Sequence, residues 1–126
     1  MSRWISYTEP PVTELKLPFP GIDQVKILVR REDRNHEFVS GNKWWKLKYN
    51  LQHASTEGYN TVLTFGGAYS NHIYATAAAC PELGLKSIGV IRGEDQVNST
   101  LAFAKGCGMT LHFISREDYR KKNDMV

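Results

Sequence analysis

An alternation of helical and β-rich segments, from residue 43 to the end of the chain, most constrains how this sequence folds. Apolar positions recur at helical spacing and are interrupted by short runs of β-branched and apolar residues, which are typical of strands. The predicted strands span residues 61–65, 86–91 and 110–114, and the predicted helices span 43–57, 70–80 and 98–105, with a last helix from residue 116. Strands separated by helices pair in parallel through right-handed crossovers. We therefore predict an α/β fold in which a parallel sheet is flanked by helices.

The first part of the chain has a different character. Residues 1–24 contain four of the five prolines, which remove backbone donors and fix φ, so we expect an extended lead-in. Residues 25–30 are apolar and β-branched enough to form a strand, and the polar segment 31–36 predicts a loop. Pro81 directly follows the second predicted helix, at a position where that helix might otherwise continue, so we expect the helix to end early or to kink before Gly84.

Composition excludes several classes of function. A net charge of +3 with 23% charged residues gives no strong field, so nucleic-acid binding has no support. No window approaches the ~18 apolar residues of a membrane helix, and the N-terminus lacks the apolar stretch of a secretory signal. The spacing typical of metal ligands is found neither between the two cysteines, Cys80 and Cys107, nor between His36 and His53. We therefore expect a cytoplasmic protein with reduced thiols that binds no metal, membrane or nucleic acid.

A glycine turn between a predicted strand and the helix that follows it is the first candidate site. Ligands of open parallel sheets bind beyond the carboxyl ends of the strands, where helix N-termini offer unsatisfied N–H groups. Ser70, Asn71 and His72 follow two glycines there and suit a carboxylate or a phosphate. The plainer alternative is an ordinary turn in which Ser70 only caps the helix. The turn lacks the glycine patterns of dinucleotide-binding and Walker sites.

Lys43, at the start of the first predicted helix, is the second candidate. The positive end of the helix dipole disfavours the charged form of a lysine there, which predicts a lowered pKa. Only the neutral amine attacks a carbonyl carbon, whereas an unperturbed lysine, with a pKa near ~10.4, is almost wholly protonated at neutral pH. The residues alone leave open that Lys43 is one of nine solvated lysines.

Three segments, taken together, resemble one family of enzymes. They are Arg30-Arg31-Glu32-Asp33, Gly41-Asn42-Lys43-x-x-Lys46-Leu47 and Gly66-Gly67-Ala68-x-Ser70-Asn71-His72. Their order, their intervals and the secondary structure predicted for them resemble the pyridoxal 5'-phosphate (PLP)-dependent enzymes of the 1-aminocyclopropane-1-carboxylate deaminase and D-cysteine desulfhydrase family. The resemblance covers nearly the whole chain, although it is thin before residue 25 and after residue 114.

The resemblance implies a tryptophan synthase β-like fold (fold type II), PLP as the cofactor, and a role for each matching residue. The lysine that matches Lys43 forms a Schiff base with PLP, and Asn42 beside it belongs to the same cofactor site. The residue that matches Ser70 contacts the substrate and transfers a proton or adds as a nucleophile. The one that matches Asn71 hydrogen-bonds the phenolic oxygen of the cofactor. Backbone N–H groups from Ser70 to His72 would hold the substrate carboxylate.

The resemblance further implies a lyase or deaminase of a small amino acid that forms a homo-oligomer. Because family members are considerably longer, residues 1–42 are expected to belong to an incomplete large domain. Residues 43–126 are expected to form a small α/β domain that is incomplete at its C-terminus. Such a fragment would have little activity alone, and its strand at 25–30 would lack sheet neighbours. The alternative is a non-catalytic α/β fragment with a residual anion-binding turn.

Two aromatic residues depart from the family pattern. Family members often carry arginine where this chain has Trp45, and again where it has Tyr74. We expect the two rings to pack against each other beside the cofactor cleft. The identity of the substrate stays open, because two positive charges are replaced there.

Overall fold

The structure is a computed structural model that describes residues 4–124. Its helices are α1 (Asn42–Thr56), α2 (Asn71–Glu82), α3 (Ser99–Gly106) and α4 (Arg116–Arg120). Its strands are β1 (Val12–Leu15), β2 (Ile27–Arg30), β3 (Thr61–Gly67), β4 (Lys86–Arg92) and β5 (Thr110–Ile114). Short 3-10 helices span Ile22–Gln24, Glu32–Arg34 and Lys122–Asp124.

The central sheet contains β3, β4 and β5 in that order, and both neighbouring pairs are parallel. Thr61 lies opposite Lys86 and Gly67 lies opposite Arg92. A helix joins each strand to the next, so the predicted α/β fold with a parallel sheet flanked by helices is confirmed. Because α1 leads directly into β3, its N-terminus lies near the edge where the strands end.

The N-terminal strand pair differs from the prediction. β1 and β2 form an antiparallel pair in which Val12 lies opposite Arg30 and Leu15 opposite Ile27. The predicted strand at 25–30 is thus confirmed over most of its length, but the expectation that it lacks a sheet neighbour is wrong. The extended lead-in contains a strand because its backbone pairs with β2. All four residues of β1 are exposed, so no buried face marks this strand in the sequence.

Two hydrophobic clusters bury opposite sides of α2. The cluster on the side of α1 contains Ile5, Val39, Trp44, Leu47, Leu51, Ala75, Ala79, Cys80, Leu83 and Leu85. The other cluster contains Ala68, Ile73, Ala77, Ile91, Leu101, Ala104 and Met109. The alanines make α2 narrow enough to be enclosed by neighbours on both sides. Because Ile5 and Val39 belong to the first cluster, the N-terminal segment packs on the α/β unit, while the domain boundary at residue 42 stays a prediction.

Polar contacts also fix the N-terminal segment to α1 and α2. One oxygen of Glu82 is 2.6 Å from Nε2 of His36, and the other accepts the backbone N–H of Ser6 at 2.8 Å. The indole N–H of Trp44 donates to the carbonyl oxygen of Ser6 at 2.7 Å. Nδ1 of His36 accepts the backbone N–H groups of Phe38 and Val39. Both ring nitrogens of His36 therefore have hydrogen-bond partners.

α2 continues two residues beyond its predicted end and includes Pro81. Pro81 lies in the last turn, where its missing N–H removes only one backbone hydrogen bond. The helix ends at Glu82, and Gly84, with φ of 69°, allows the N–H of Leu85 to reach the carbonyl oxygen of Cys80 at 2.9 Å. The helix thus ends before Gly84, as expected, but two residues beyond the predicted end at Cys80.

Three findings concern residues 4–124 only. No helix there is both long and apolar enough to cross a membrane. No three side chains of His, Cys, Asp or Glu are grouped closely enough to hold a metal ion. Cys80 and Cys107 are free thiols, and burial raises the pKa of Cys80 to about 11.

Gly66 allows α2 to begin close to β3. A Cβ atom at this position would lie 2.5 Å from Cγ1 of Ile73, which is fully buried. We therefore expect Gly66→Ala to lower the free energy of unfolding by about 1–3 kcal/mol through overpacking, measured by chemical denaturation. Gly106→Ala is the matched control, since a methyl group there would meet no atom within 4 Å and alanine favours helix. Equal stability of both variants would contradict this close docking.

Candidate functional site

A cleft between the N-terminal ends of α1 and α2 brings together part of the predicted site. Its volume is about 230 Å³. It is lined by Glu37, Phe38, Ser40, Asn42, Lys43, Asn71, Tyr74 and Ala75. The cleft thus places the candidate lysine beside the candidate asparagine of the other helix. Ser70 and His72 adjoin this cleft at the start of α2 but do not line it.

Lys43 is the second residue of α1 and is half-buried. Its Nζ donates to Oδ1 of Asn42 at 3.0 Å. Asn42 is the first residue of the helix, whereas Gly41 occupies the N-cap position. The amine and the Asn42 amide therefore face the cleft together.

The turn before Lys43 is fixed by backbone geometry and by a buried amide. Gly41 has φ of 64° and ψ of −138°, a conformation open to glycine and strained for residues with a Cβ. Its N–H donates to Oδ1 of Asn35 at 3.1 Å and to the carbonyl oxygen of Glu32 at 2.9 Å. Asn35 is fully buried. The direction in which α1 starts is therefore set by contacts with the preceding loop.

Ser70 is the N-cap of α2, which is the plainer alternative predicted for this turn. Its Oγ accepts the backbone N–H groups of His72 at 3.2 Å and of Ile73 at 3.3 Å. The N–H of His72 therefore has a partner within the turn. The carboxylate site that the resemblance implies at the N–H groups from Ser70 to His72 stays a prediction. The hydroxyl hydrogen of Ser70 is still available for donation, because the two N–H groups use only its lone pairs.

His72 points toward β3, where its Nε2 lies 2.8 Å from Oγ1 of Thr64. Burial lowers the pKa of His72, and the positive charges of Lys43 and Lys46 lower it further. The imidazole is therefore neutral at neutral pH. The charge effect also means that both lysines lie near the start of α2. Sequence reasoning quoted Lys46 only as part of a motif and missed it as a source of charge at the site.

The expected packing of Trp45 on Tyr74 is wrong. The ring of Tyr74 stacks on Phe103 of α3, with centroids 3.8 Å apart and planes 12° apart. Trp45 instead packs edge-on against Trp44 at 4.8 Å and against Tyr7 at 6.0 Å. α3 supplies the partner of Tyr74 because α2 is enclosed on that side. The two aromatics that differ from the family thus belong to separate contacts.

A larger cavity, of about 790 Å³, opens at the same edge of the sheet beyond β4 and β5. It contains two arginines, Arg92 and Arg116, which sequence reasoning did not select. The guanidinium of Arg92 lies over the ring of Tyr119 at 5.7 Å. We place the candidate site in the smaller cleft because the candidate lysine lies there.

The pKa of His72 reports how close the charges of Lys43 and Lys46 lie to its imidazole ring. Replacing Lys43 or Lys46 by methionine removes a positive charge that disfavours the imidazolium, so we expect the pKa of His72 to rise in each variant. NMR titration of the imidazole protons measures this directly, with Lys105→Met as a control on α3.

The pKa of His72 in the folded protein lies below its ordinary value of 6.5, so folding favours the neutral imidazole. The contribution of His72 to the free energy of unfolding is therefore fully present above pH 6.5. It is lost as the pH falls through the lowered pKa, and removing Lys43 should reduce this loss. A His72 pKa that is identical in the Lys43 and Lys105 variants would place the Lys43 amine elsewhere.

Comparison with known proteins shows which family this chain belongs to. No family model matches the chain. A protein of Pyrococcus abyssi provisionally named 1-aminocyclopropane-1-carboxylate deaminase is 35% identical over 85 residues, which cover 68% of this chain and 26% of the relative. The mitochondrial bifunctional D-cysteine desulfhydrase/1-aminocyclopropane-1-carboxylate deaminase of Arabidopsis thaliana is 33% identical over 108 residues, covering 79% and 27% respectively.

The solved structures agree with the sequence relatives. The crystal structure of a homologue of 1-aminocyclopropane-1-carboxylate (ACC) deaminase superposes on this chain with a TM-score of 0.70 and 29% identity. The match covers 87% of this chain and 34% of that one. The chain therefore spans about a quarter to a third of the length of the proteins that it matches. By sequence and by fold, it belongs to the family of 1-aminocyclopropane-1-carboxylate deaminases and D-cysteine desulfhydrases.

Proposed function

We propose that this chain carries the cofactor-binding lysine of a PLP-dependent lyase or deaminase that acts on a small amino acid. The reaction is of the 1-aminocyclopropane-1-carboxylate deaminase or D-cysteine desulfhydrase type, and Lys43 is the residue that binds PLP covalently. One observation carries the proposal: Lys43 and Asn71 line one cleft, at the sheet edge where ligands of parallel folds bind.

The chemistry of the cleft fits PLP. Lys43 offers an amine for the aldehyde carbon, and the amides of Asn42 and Asn71 offer N–H donors for the phenolic oxygen of the cofactor. Lys46 adds positive charge near the start of α2, which favours an anionic ligand. Tyr74, held by stacking on Phe103, gives the cleft a rigid aromatic wall.

When bound, PLP supplies an electron-accepting ring for bonds broken at the amino-acid substrate. The protein's contribution is to orient the reacting groups. Ser70, fixed by two backbone N–H groups, offers its hydroxyl hydrogen at the start of α2. His72 is neutral and forms a hydrogen bond with Thr64. It therefore adds no second positive charge that would draw an anionic ligand away from the lysines. A small amino-acid substrate and a homo-oligomeric assembly belong to the same proposal.

The N-cap role of Ser70 favours a second candidate function. Since the N–H groups of His72 and Ile73 are occupied by Ser70, the turn is also compatible with a non-catalytic α/β unit. In that case Lys43 would be an ordinary lysine without special reactivity. The two candidate functions differ in which of the nine lysines of the chain reacts with PLP.

Reductive labelling separates the two candidates. The chain is incubated with PLP and reduced with borohydride, and the modified lysines are identified by mass spectrometry. We expect Lys43 to be labelled in preference to the other eight lysines, because the cleft holds the cofactor against its amine. Lys43→Met should abolish the preferred label, whereas the control Lys105→Met should leave it unchanged. Even labelling of all lysines, unaltered in Lys43→Met, would contradict the catalytic proposal and favour the non-catalytic unit.

A further inference from the structure

We propose that Trp45 is a positioning residue for Lys43. Its indole N–H, acting through the carboxylate of Glu32 and the amide of Asn35, holds the turn from which the lysine projects. This inference rests on the proposed function of Lys43 and extends it to a side chain that does not line the cleft.

The carboxylate of Glu32 joins three separate parts of the chain. Its Oε2 accepts the indole N–H of Trp45 at 3.0 Å and the amide of Asn35 at 3.2 Å. Its Oε1 accepts Nε of Arg30 at 2.6 Å. The end of β2, the loop before α1 and the first turn of α1 therefore meet at one side chain.

Asn35 transmits this contact to the turn before Lys43. Its Oδ1 accepts the N–H of Gly41, and its Nδ2 also reaches the carbonyl oxygen of Gly41 at 3.5 Å. Both contacts act on a residue whose left-handed backbone strains any substitute. Because Asn35 is fully buried, an unpaired amide there would be costly, so the contacts reinforce one another.

Lys43 lies between Gly41 and Trp45, the two residues at which this series of hydrogen bonds ends. Gly41 precedes it by two residues and Trp45 follows it by two, and both are tied to Glu32 directly or through Asn35. The Trp45 ring is itself held by edge-on contacts with Trp44 and Tyr7. Contacts with the preceding loop therefore hold the backbone on both sides of Lys43.

The hydrogen bonds at Glu32 are charge-assisted. Donation from Trp45, followed by donation from Arg30, lowers the pKa of Glu32, so its carboxylate is ionised at neutral pH. An ionised acceptor holds its N–H donors more firmly than a neutral one. Removal of the indole N–H therefore takes away the first contact in the path to Gly41.

Two phenylalanine variants separate positioning from packing. Trp45→Phe removes the N–H that Glu32 accepts. Trp44→Phe, the matched control at the next position, removes an N–H that donates to the carbonyl oxygen of Ser6. The rate of Lys43 modification by PLP and borohydride is measured as a function of pH. We expect it to fall about two- to fivefold in Trp45→Phe relative to the control, because the hydrogen bond that is lost is charge-assisted but exposed to solvent.

A second measurement follows the turn without the cofactor. The amide hydrogen of Gly41 should exchange with solvent faster in Trp45→Phe than in Trp44→Phe. Trp45→Arg restores a donor for the Glu32 carboxylate, so it should recover both the slow exchange and the Lys43 rate. If Trp45→Phe is poorly folded, recovery of both quantities in Trp45→Arg still tests the positioning role of residue 45.

The outcomes distinguish this inference from the proposed function. If the unsubstituted chain labels Lys43 selectively, and both phenylalanine variants retain the same rate and the same Gly41 exchange, Trp45 has no positioning role and the proposed function stands. If the unsubstituted chain labels its lysines evenly, the proposed function and the positioning role are both overturned. A loss specific to Trp45→Phe, with recovery in Trp45→Arg, supports the inference.

Discussion

The enclosure of α2 is the constraint on which the rest of this structure depends. Its alanines allow α1 to pack on one side and α3 on the other, and Gly66 allows its first turn to approach β3. Since α1 and α2 both begin at the sheet edge where β3 ends, this packing places Lys43 beside Asn71. A wider helix at the position of α2 would separate the two N-termini and open the cleft between them.

Electrostatics and hydrogen bonding then define what the cleft can bind. Two lysine charges act on the start of α2, and His72 stays neutral because it is buried beside them. The hydroxyl of Ser70 caps the helix while retaining its own hydrogen. The resulting site combines an accessible amine, two amides and positive charge, which together suit an aldehyde-bearing anion such as PLP.

The layered fold was predictable from the sequence because helical and strand periodicities alternate within short distances along the chain. β1 could not be predicted, since all its side chains are exposed and only backbone pairing with β2 defines it. The partners of Trp45 and Tyr74 were missed for a related reason. Trp45 bonds to a residue 13 positions earlier, and Tyr74 stacks on α3, so neither contact leaves a local pattern. Family motifs located Lys43, Asn71 and Ser70, but only the folded structure shows which of them line the cleft.

Lys43 and Asn71 are proposed to form one binding site for PLP. The most direct measurement is a crystal structure of this chain grown with PLP. We expect continuous electron density from Nζ of Lys43 into the cofactor, with the ring beside Asn71. Cofactor density attached to another lysine, or confined to the cavity between Arg92 and Arg116, would contradict it.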